Sequence, residues 1–195
     1  MYYGFRAGHN PFNSPRRFRG KGEAGEIGEA VMELDSIIGR ILDTLESRKI
    51  DEDTVVLFMS DNGAISRWNT DTAVQQYPDG SYMWDTYNHY QNAIDLNGVN
   101  YKLNGGKQSA YEGGHRLPML WRYPRMIKEP RVLQNVTVSH IDVYRTLADI
   151  IGDENLPCNE APDSRSLIQL LNGKANGIGE KVMVHHSIFQ GNYQI

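Results

Sequence analysis

The clearest candidate chemistry in the sequence is a pair of oxygen-bearing residues, Asp61 and Asn62, at the end of an apolar run. Carboxylate and amide oxygens are ligands that hard cations such as Ca²⁺ and Mg²⁺ prefer. An Asp-Asn-Gly segment is also typical of a hairpin turn. Residues 54–59 before it are continuously apolar, which predicts a strand covered on both faces, as in a parallel sheet. Such a strand seldom continues into a hairpin, and α/β sheets place ligands beyond their strand ends. We therefore predict a divalent-metal site at this pair.

Lys107 is the second candidate, because it lies between the glycine pairs 105–106 and 113–114. Glycine lets the backbone approach a bound group closely, and lysine supplies a point charge for an anion. A solvated loop lysine is the alternative interpretation. The segment is not a Walker A loop, since the required glycine and the following Ser/Thr are absent. Residues 20–25 match G-x-G-x-x-G, but the residues before them are rich in Arg and Pro and do not form the strand that a dinucleotide site requires.

Hydrophobic periodicity predicts the elements that must position these residues. Residues 25–48 carry apolar side chains at helical spacing, with charged residues such as Glu29 on the opposite face, and this predicts an amphipathic helix. Residues 64–104 show no sustained period and predict a long loop, a kind of segment that is often functional. Residues 117–121 predict a second short strand.

The later part of the chain predicts two helices and a last strand. Ser139 and Asp142 have the spacing of a helix-start motif, and Gly152 is placed to end that helix. Ser164 is expected to cap a shorter helix, and residues 181–189 predict a final strand. The apolar face of the first of these helices is expected to contain Tyr144, Leu147, Ala148 and Ile151.

Composition limits the classes of function that remain. The chain has 195 residues, of which 39% are hydrophobic, enough for one domain or somewhat more. Its net charge of −4 argues against a broad nucleic-acid-binding surface, although residues 15–19 form a local basic stretch. The single cysteine, Cys158, excludes an internal disulfide framework and a multi-cysteine metal cluster. No apolar run approaches the ~20 residues of a membrane span, and the N-terminus lacks the features of a signal peptide.

Taken together, the motifs closely resemble those of the sulfatase family, the arylsulfatase-like sulfuric ester hydrolases. The resemblance rests on V-V-L-F-M-S-D-N-G, which ends at Gly63, and on N-G-G-K-Q-S-A-Y-E-G-G-H-R-L-P around Lys107, about 45 residues later. Residues 9–11 are similar to the family's H-x-P segment. Further similarity lies at residues 32–35, 139–152, 163–166 and 185–187, so that the resemblance covers almost the whole chain.

The resemblance implies an α/β fold of the alkaline-phosphatase-like type, with a mainly parallel sheet flanked by helices, of which this chain holds a part. Residues 1–180 would be the C-terminal part of the catalytic domain, and residues 181–195 the beginning of a small C-terminal subdomain. The implied reaction is the hydrolysis of a sulfate ester at a site that holds one divalent cation, usually Ca²⁺. Asp61 and Asn62 resemble metal ligands of the family, Lys107 a lysine that contacts the sulfate, and His9 a histidine at the sulfate and the leaving-group oxygen.

The sequence departs from the family pattern at the nucleophile. Sulfatases use a formylglycine, made from Cys or Ser in a C/S-x-P-x-R motif, whose hydrate attacks sulfur. Cys158 has neither Pro at +2 nor Arg at +4, and Ser14 fits no better. The paired N-terminal aspartates of the family's metal site are also absent. We therefore expect the C-terminal half of a sulfatase, inactive alone, with the formylglycine in a missing N-terminal half.

Two alternatives remain open at this point. One is a phosphoryl-transfer relative in the same superfamily, against which Asn62 weighs because many of those enzymes have D-H-G there. The other is a non-catalytic domain that binds sulfated glycans. The expected partner is a sulfated small molecule or a sulfated polysaccharide, with neither nucleic acid nor a membrane span. The family resemblance suggests a secreted, periplasmic or lysosomal location.

Overall fold

The computed structural model describes residues 1–6, 9, 15–22, 25–63, 103, 107, 110–133, 136–153, 157, 160–179, 185–186 and 193–194. The loop expected at 64–104 lies outside these residues except for Leu103, and so does Cys158. The described elements, in chain order, are α1 (Gly25–Ser47), a 3₁₀ helix (Asp51–Asp53), β1 (Val56–Met59), α2 (Glu112–His115), β2 (Met119–Arg122), α3 (Asp142–Ile151), α4 (Ile168–Leu171), β3 (His185–His186) and β4 (Tyr193–Gln194). None of the described helices is both long and apolar enough to cross a membrane.

The chain divides into two compact units. The first contains the described residues of 1–48, 58–119 and 184–195, and the second those of 49–57 and 120–183. All four candidate site residues, at positions 9, 61, 62 and 107, belong to the first unit.

The described strands form two small sheets. β1 and β2 pair with each other, and β3 and β4 form an antiparallel pair in which His185 lies opposite Gln194. Both of these predicted strands are confirmed, with β2 displaced by one or two residues from the expected 117–121. The expectation that β1 is covered on both faces is not met in the described residues, where the strand is half-buried along its length. Within the described residues the sheet that contains β1 has two strands, and a strand is buried on both faces only where other elements pack on each face.

Helix α1 confirms the predicted amphipathic helix, but one residue of its polar face is buried. Glu29 is only 5% exposed, because residues 15–22 lie against this side of the helix. The Gly20 backbone N–H donates a hydrogen bond to the Glu29 carboxylate. Arg17 donates from Nε and Nη2 to the Glu33 carboxylate, at 3.1 and 2.6 Å. The charged face of α1 therefore holds a neighbouring segment of chain.

Helix α3 begins and ends through the signals that the sequence shows. The Asp142 carboxylate accepts a hydrogen bond from the Ser139 backbone N–H at 2.8 Å, which is one half of a capping box. At the other end Gly152 adopts a left-handed conformation with φ of 74°, and the Asp153 N–H donates to the Ala148 carbonyl at 2.9 Å. This pairing is the Schellman arrangement that a C′ glycine allows.

The buried face of α3 differs from the apolar face expected from the sequence. Ala148 is buried, but Tyr144, Leu147 and Ile151 are exposed. Asp142 and Thr146 are fully buried in their place. The reason is that Asp142 and Thr146 bind backbone groups of the segment before α4, so that polar contacts orient the helix.

That segment also corrects the expected role of Ser164. Its Oγ accepts a hydrogen bond from the Arg145 N–H at 3.1 Å, near the start of α3, and α4 has no side-chain cap. Thr146 Oγ1 accepts from the Leu167 N–H at 2.9 Å, and the second Asp142 oxygen accepts from the Arg165 N–H at 2.9 Å. Three side chains of this cluster therefore satisfy backbone donors that burial would otherwise leave unpaired.

Candidate active site at the end of strand β1

The turn after β1 is held by the side chains of its own residues. β1 ends at Met59, where the sequence predicts, and Ser60 Oγ donates a hydrogen bond to the Asn62 carbonyl at 3.0 Å. Asn62 Nδ2 donates to the Gly63 carbonyl at 3.0 Å. This bond fixes the plane of the Asn62 amide. Because the amide nitrogen is bound to the backbone, Asn62 presents its Oδ1, the atom that a cation would use.

The same turn packs directly on the backbone of α2. The Gly63 N–H donates to the Gly114 carbonyl at 3.0 Å, and the Ser60 N–H donates to the Pro118 carbonyl at 3.4 Å. A Cβ placed on Gly63 would overlap the Gly113 carbonyl oxygen and lie 2.8 Å from Gly114 Cα. Gly63, Gly113 and Gly114 are all buried. The two motifs that carry the family resemblance are thus in contact, backbone against backbone.

Asp61 lies at the tip of this turn and is exposed, whereas Asn62 is half-buried. The turn therefore offers a carboxylate and an amide oxygen from adjacent residues at the carboxyl end of a strand, as the sequence predicts. An exposed carboxylate keeps both oxygens accessible to a cation or to solvent.

Lys107 and His9 occupy the first unit together with Asp61. Lys107 is half-buried in a turn five residues before α2. His9 is exposed, and its backbone N–H donates to the Arg6 carbonyl at 3.2 Å. The roles of Lys107 at the sulfate and of His9 at the leaving-group oxygen stay predictions.

Comparison with known proteins assigns the chain to a family. The model of the sulfatase family matches residues 1–152. This chain belongs to the sulfatase family. It is 32% identical, over 174 residues, to N-acetylgalactosamine-6-O-sulfatase of Bacteroides thetaiotaomicron, with 89% of this chain and 30% of the relative covered. Human arylsulfatase H is 29% identical over 187 residues, with 95% of this chain and 29% of the relative covered.

The fold of this sulfatase chain has a solved counterpart. A solved sulfatase structure, from work on the metabolism of multiple glycosaminoglycans by Bacteroides thetaiotaomicron, matches this chain with a TM-score of 0.67 and 31% sequence identity. The match covers 87% of this chain and 31% of that chain. The described elements are therefore part of the alkaline-phosphatase-like α/β fold of sulfatases. The chain spans about 30% of the length of the relatives it matches.

The two candidate ligands, Asp61 and Asn62, match a hard cation in chemical type but not in number. Ca²⁺ takes roughly six to eight oxygen ligands, and Asp61 with Asn62 can supply two or three. Among the described residues, no group of three or more His, Cys, Asp or Glu side chains is close enough to hold a metal ion. A complete coordination shell needs further oxygens besides those of Asp61 and Asn62.

Sequence reasoning missed the backbone contact that positions the turn. The glycine pair at Gly113 and Gly114 does signal a close approach, but the prediction assigned that approach to a bound anion. In the structure the group that approaches these two glycines is the Gly63 backbone. The glycine in Ser-Asp-Asn-Gly is the matching signal on the other side of the contact.

Proposed function

We propose that this chain supplies part of the active site of a sulfuric ester hydrolase. The observation that carries the proposal is the contact between the turn at Gly63 and the Gly113–Gly114 backbone, which joins the two most specific motifs of the family match. Because the two segments share this contact, the oxygens of Asp61 and Asn62 are held beside the segment that follows Lys107.

Each candidate residue has a role that its chemistry allows. Asp61 and Asn62 would hold the cation through one carboxylate and one amide oxygen, and a bound cation supplies positive charge that stabilises the charge on the transferred group. The Lys107 ammonium would neutralise a sulfate oxygen as a point charge. His9 would hydrogen-bond the leaving-group oxygen, since imidazole can give or take a proton near neutral pH.

The nucleophile would come from polypeptide outside these 195 residues. No Cys or Ser of the sequence lies in a C/S-x-P-x-R motif, which formylglycine formation requires in this family. The 195-residue chain alone should then be inactive, because removing a nucleophile leaves only the residual catalysis of binding and electrostatics. The substrate would be the sulfate ester of a small molecule or of a polysaccharide, as the names of the sulfatase relatives indicate for those proteins.

An aryl-sulfate hydrolysis assay tests the proposal. The 195-residue chain and a longer form that carries a C/S-x-P-x-R segment upstream are compared in the presence of Ca²⁺. We expect turnover only by the longer form, and its loss in Asp61→Ala and Lys107→Ala. Lys128→Ala is the matched control, because Lys128 is an exposed lysine bonded to the Pro124 carbonyl at 2.9 Å.

Two outcomes would contradict the proposal. Robust turnover by the short form, abolished by Lys107→Ala, would show that the nucleophile lies within the 195 residues. Inactivity of both forms would favour a non-catalytic domain that binds sulfated glycans.

A further inference from the structure

The segment of residues 15–22 carries a density of positive charge unlike the rest of the chain. It contains Arg16, Arg17, Arg19 and Lys21 and no acidic residue, in a protein whose net charge is −4. A run this rich in Lys and Arg is a recognised pattern of polyanion-binding patches, including those for nucleic acids and sulfated polysaccharides. We call residues 15–22 the basic segment.

The basic segment is folded as two successive tight turns. The Phe18 N–H donates to the Pro15 carbonyl at 2.9 Å, and the Lys21 N–H donates to the Phe18 carbonyl at 3.0 Å. Arg17 and Gly20 occupy the same position, the third, in the two turns. Arg16 and Arg19 likewise share the second position. The two turns differ in backbone conformation, because Gly20 has a φ of 74° whereas Arg17 has no positive φ.

The third residues of the two turns, Arg17 and Gly20, attach the basic segment to α1. Arg17 forms its two-nitrogen contact with Glu33 and also donates to Ser36 Oγ at 3.4 Å. Gly20, with φ of 74°, donates its N–H to Glu29. Glu29 and Glu33 are four residues apart and so lie on one face of the helix. The segment therefore has a defined conformation, and its attachment uses only one of its four cations.

The other three cations are exposed. Arg16, Arg19 and Lys21 all lie at the surface. Within the described part of the chain, none of the three forms an ion pair. By contrast Arg17 is neutralised by Glu33, and its guanidinium lies 4.8 Å from the centre of the Phe18 ring. Three exposed positive charges within six residues create a local positive potential, stronger than that of scattered cations.

We propose that the basic segment is a secondary binding surface for the anionic groups of a sulfated polysaccharide. The inference rests on the proposed function in one respect, namely that the natural ligand carries sulfate. A small aryl or steroid sulfate has a single anionic group, which the main site would bind. A polysaccharide bears further sulfates along its chain, and three exposed cations on a hydrogen-bonded segment in the same compact unit as Asp61 would bind these. The overall net charge of −4 disfavours nucleic acid, which needs a broad basic surface.

Binding of dextran sulfate to the 195-residue chain tests this inference, with unsulfated dextran as the matched ligand. At an ionic strength of about 0.1 M, where charges are screened over ~10 Å, we expect the chain to bind the sulfated polymer alone. The triple variant Arg16→Ala/Arg19→Ala/Lys21→Ala should bind roughly tenfold more weakly, the combined effect expected for three exposed charge contacts. The replaced side chains are exposed, so circular dichroism should show an unchanged fold.

The control variant removes three exposed cations from elsewhere, at Arg40, Arg48 and Lys174. It changes the net charge by the same amount and should weaken binding by less than about twofold. Equal weakening by the two triple variants would assign the effect to total charge and overturn the proposal. So would failure of the parent chain to bind dextran sulfate, or equally tight binding of single-stranded DNA through the same residues.

The two proposals fail separately. Hydrolysis of an aryl sulfate by the longer form, together with no polymer binding by the basic segment, would refute the second proposal only. Polymer binding that depends on the basic segment, in a protein whose longer form is inactive, would refute the first proposal only.

Discussion

Gly63→Ala is the most direct test of the backbone contact at the candidate site. The added Cβ would overlap the Gly113 carbonyl oxygen and lie 2.8 Å from both Gly113 C and Gly114 Cα. These are buried backbone atoms, which cannot rotate away as a flexible side chain would. The turn must therefore separate from α2, and the 3.0 Å hydrogen bond from the Gly63 N–H to the Gly114 carbonyl is lost or stretched.

The expected loss of stability follows from three contributions. Overpacking a close contact costs about 1–3 kcal/mol, and the weakened hydrogen bond costs about 0.5–1.5 kcal/mol. The lower entropy of the unfolded alanine chain offsets about 0.4–1 kcal/mol. The free energy of unfolding should therefore fall by about 2–3 kcal/mol. For a chain of this size each kcal/mol lowers Tm by roughly 2–4 °C, which predicts a decrease of about 5–10 °C.

Gly39→Ala is the matched control, because a Cβ at Gly39 meets nothing within 4 Å and the residue lies inside α1. Alanine should stabilise this helix position by about 0.5–1 kcal/mol. Thermal and urea unfolding followed by circular dichroism measure both variants. If Gly63→Ala left the free energy of unfolding within about 0.5 kcal/mol of the parent, the contact between the motifs would not exist in solution.

Four further outcomes are expected. Gly152→Ala, at a φ of 74°, should destabilise the chain by about 1 kcal/mol, whereas Gly177→Ala, which has an open surrounding and no positive φ, should not. Thr146→Val keeps the side-chain shape but removes the acceptor of a buried N–H, which costs about 1–3 kcal/mol in urea unfolding. A hydrogen bond to Glu160 and the negative charge of Glu160 raise the pKa of Tyr144. The absorbance titration of Tyr144, obtained by subtracting the titration of Tyr144→Phe from that of the parent, should therefore have its midpoint above the ordinary value of about 10. Glu160→Gln should lower this midpoint. Calorimetry should show Ca²⁺ binding weaker than a Kd of ~1 µM, because the two candidate ligands, Asp61 and Asn62, supply fewer oxygens than the roughly six to eight that Ca²⁺ takes.

The pKa of Tyr144 also fixes the sign of one pH effect on stability. Because its folded pKa is raised above the unfolded value, the folded state keeps its proton at a pH where the unfolded state loses it. The stabilisation is therefore complete below the unfolded pKa and is lost as pH rises through the folded pKa. Tyr144→Phe should remove this alkaline loss, and it should slightly lower the free energy of unfolding at neutral pH, because it also removes the hydrogen bond to Glu160.

Features set by local interactions were predictable from the sequence. The extent of α1 follows from apolar spacing over more than twenty residues, and the end of β1 follows from the change from apolar to polar residues at Ser60. Gly152 marks the end of α3 because a left-handed residue there satisfies the last carbonyls of the helix. Each of these signals lies within a few residues of the structure it determines.

Features set by contacts between distant segments were not predictable in the same way. Glu29 is charged and lies on the polar side of α1, so its spacing predicts exposure. It is buried only because Gly20 donates to it from a turn nine residues earlier. Ser164 precedes a helix and predicts a cap, yet it binds an amide of α3, nineteen residues away in sequence. The sequence shows which side chains can form hydrogen bonds, but it does not show which partner each will have in the fold.

The candidate site combines both cases, and this explains why its motifs are specific. The turn from Ser60 to Gly63 is determined locally, through the hydroxyl and amide contacts of Ser60 and Asn62. Its attachment to α2 is a long-range contact, yet it needs glycine at position 63, because a Cβ there would overlap the Gly113 carbonyl oxygen. The sequence therefore signals this long-range contact by a glycine at position 63 and by the glycine pair at 113–114. The candidate ligands Asp61 and Asn62 directly precede Gly63, so a glycine that takes no part in the proposed chemistry determines where their oxygens are held.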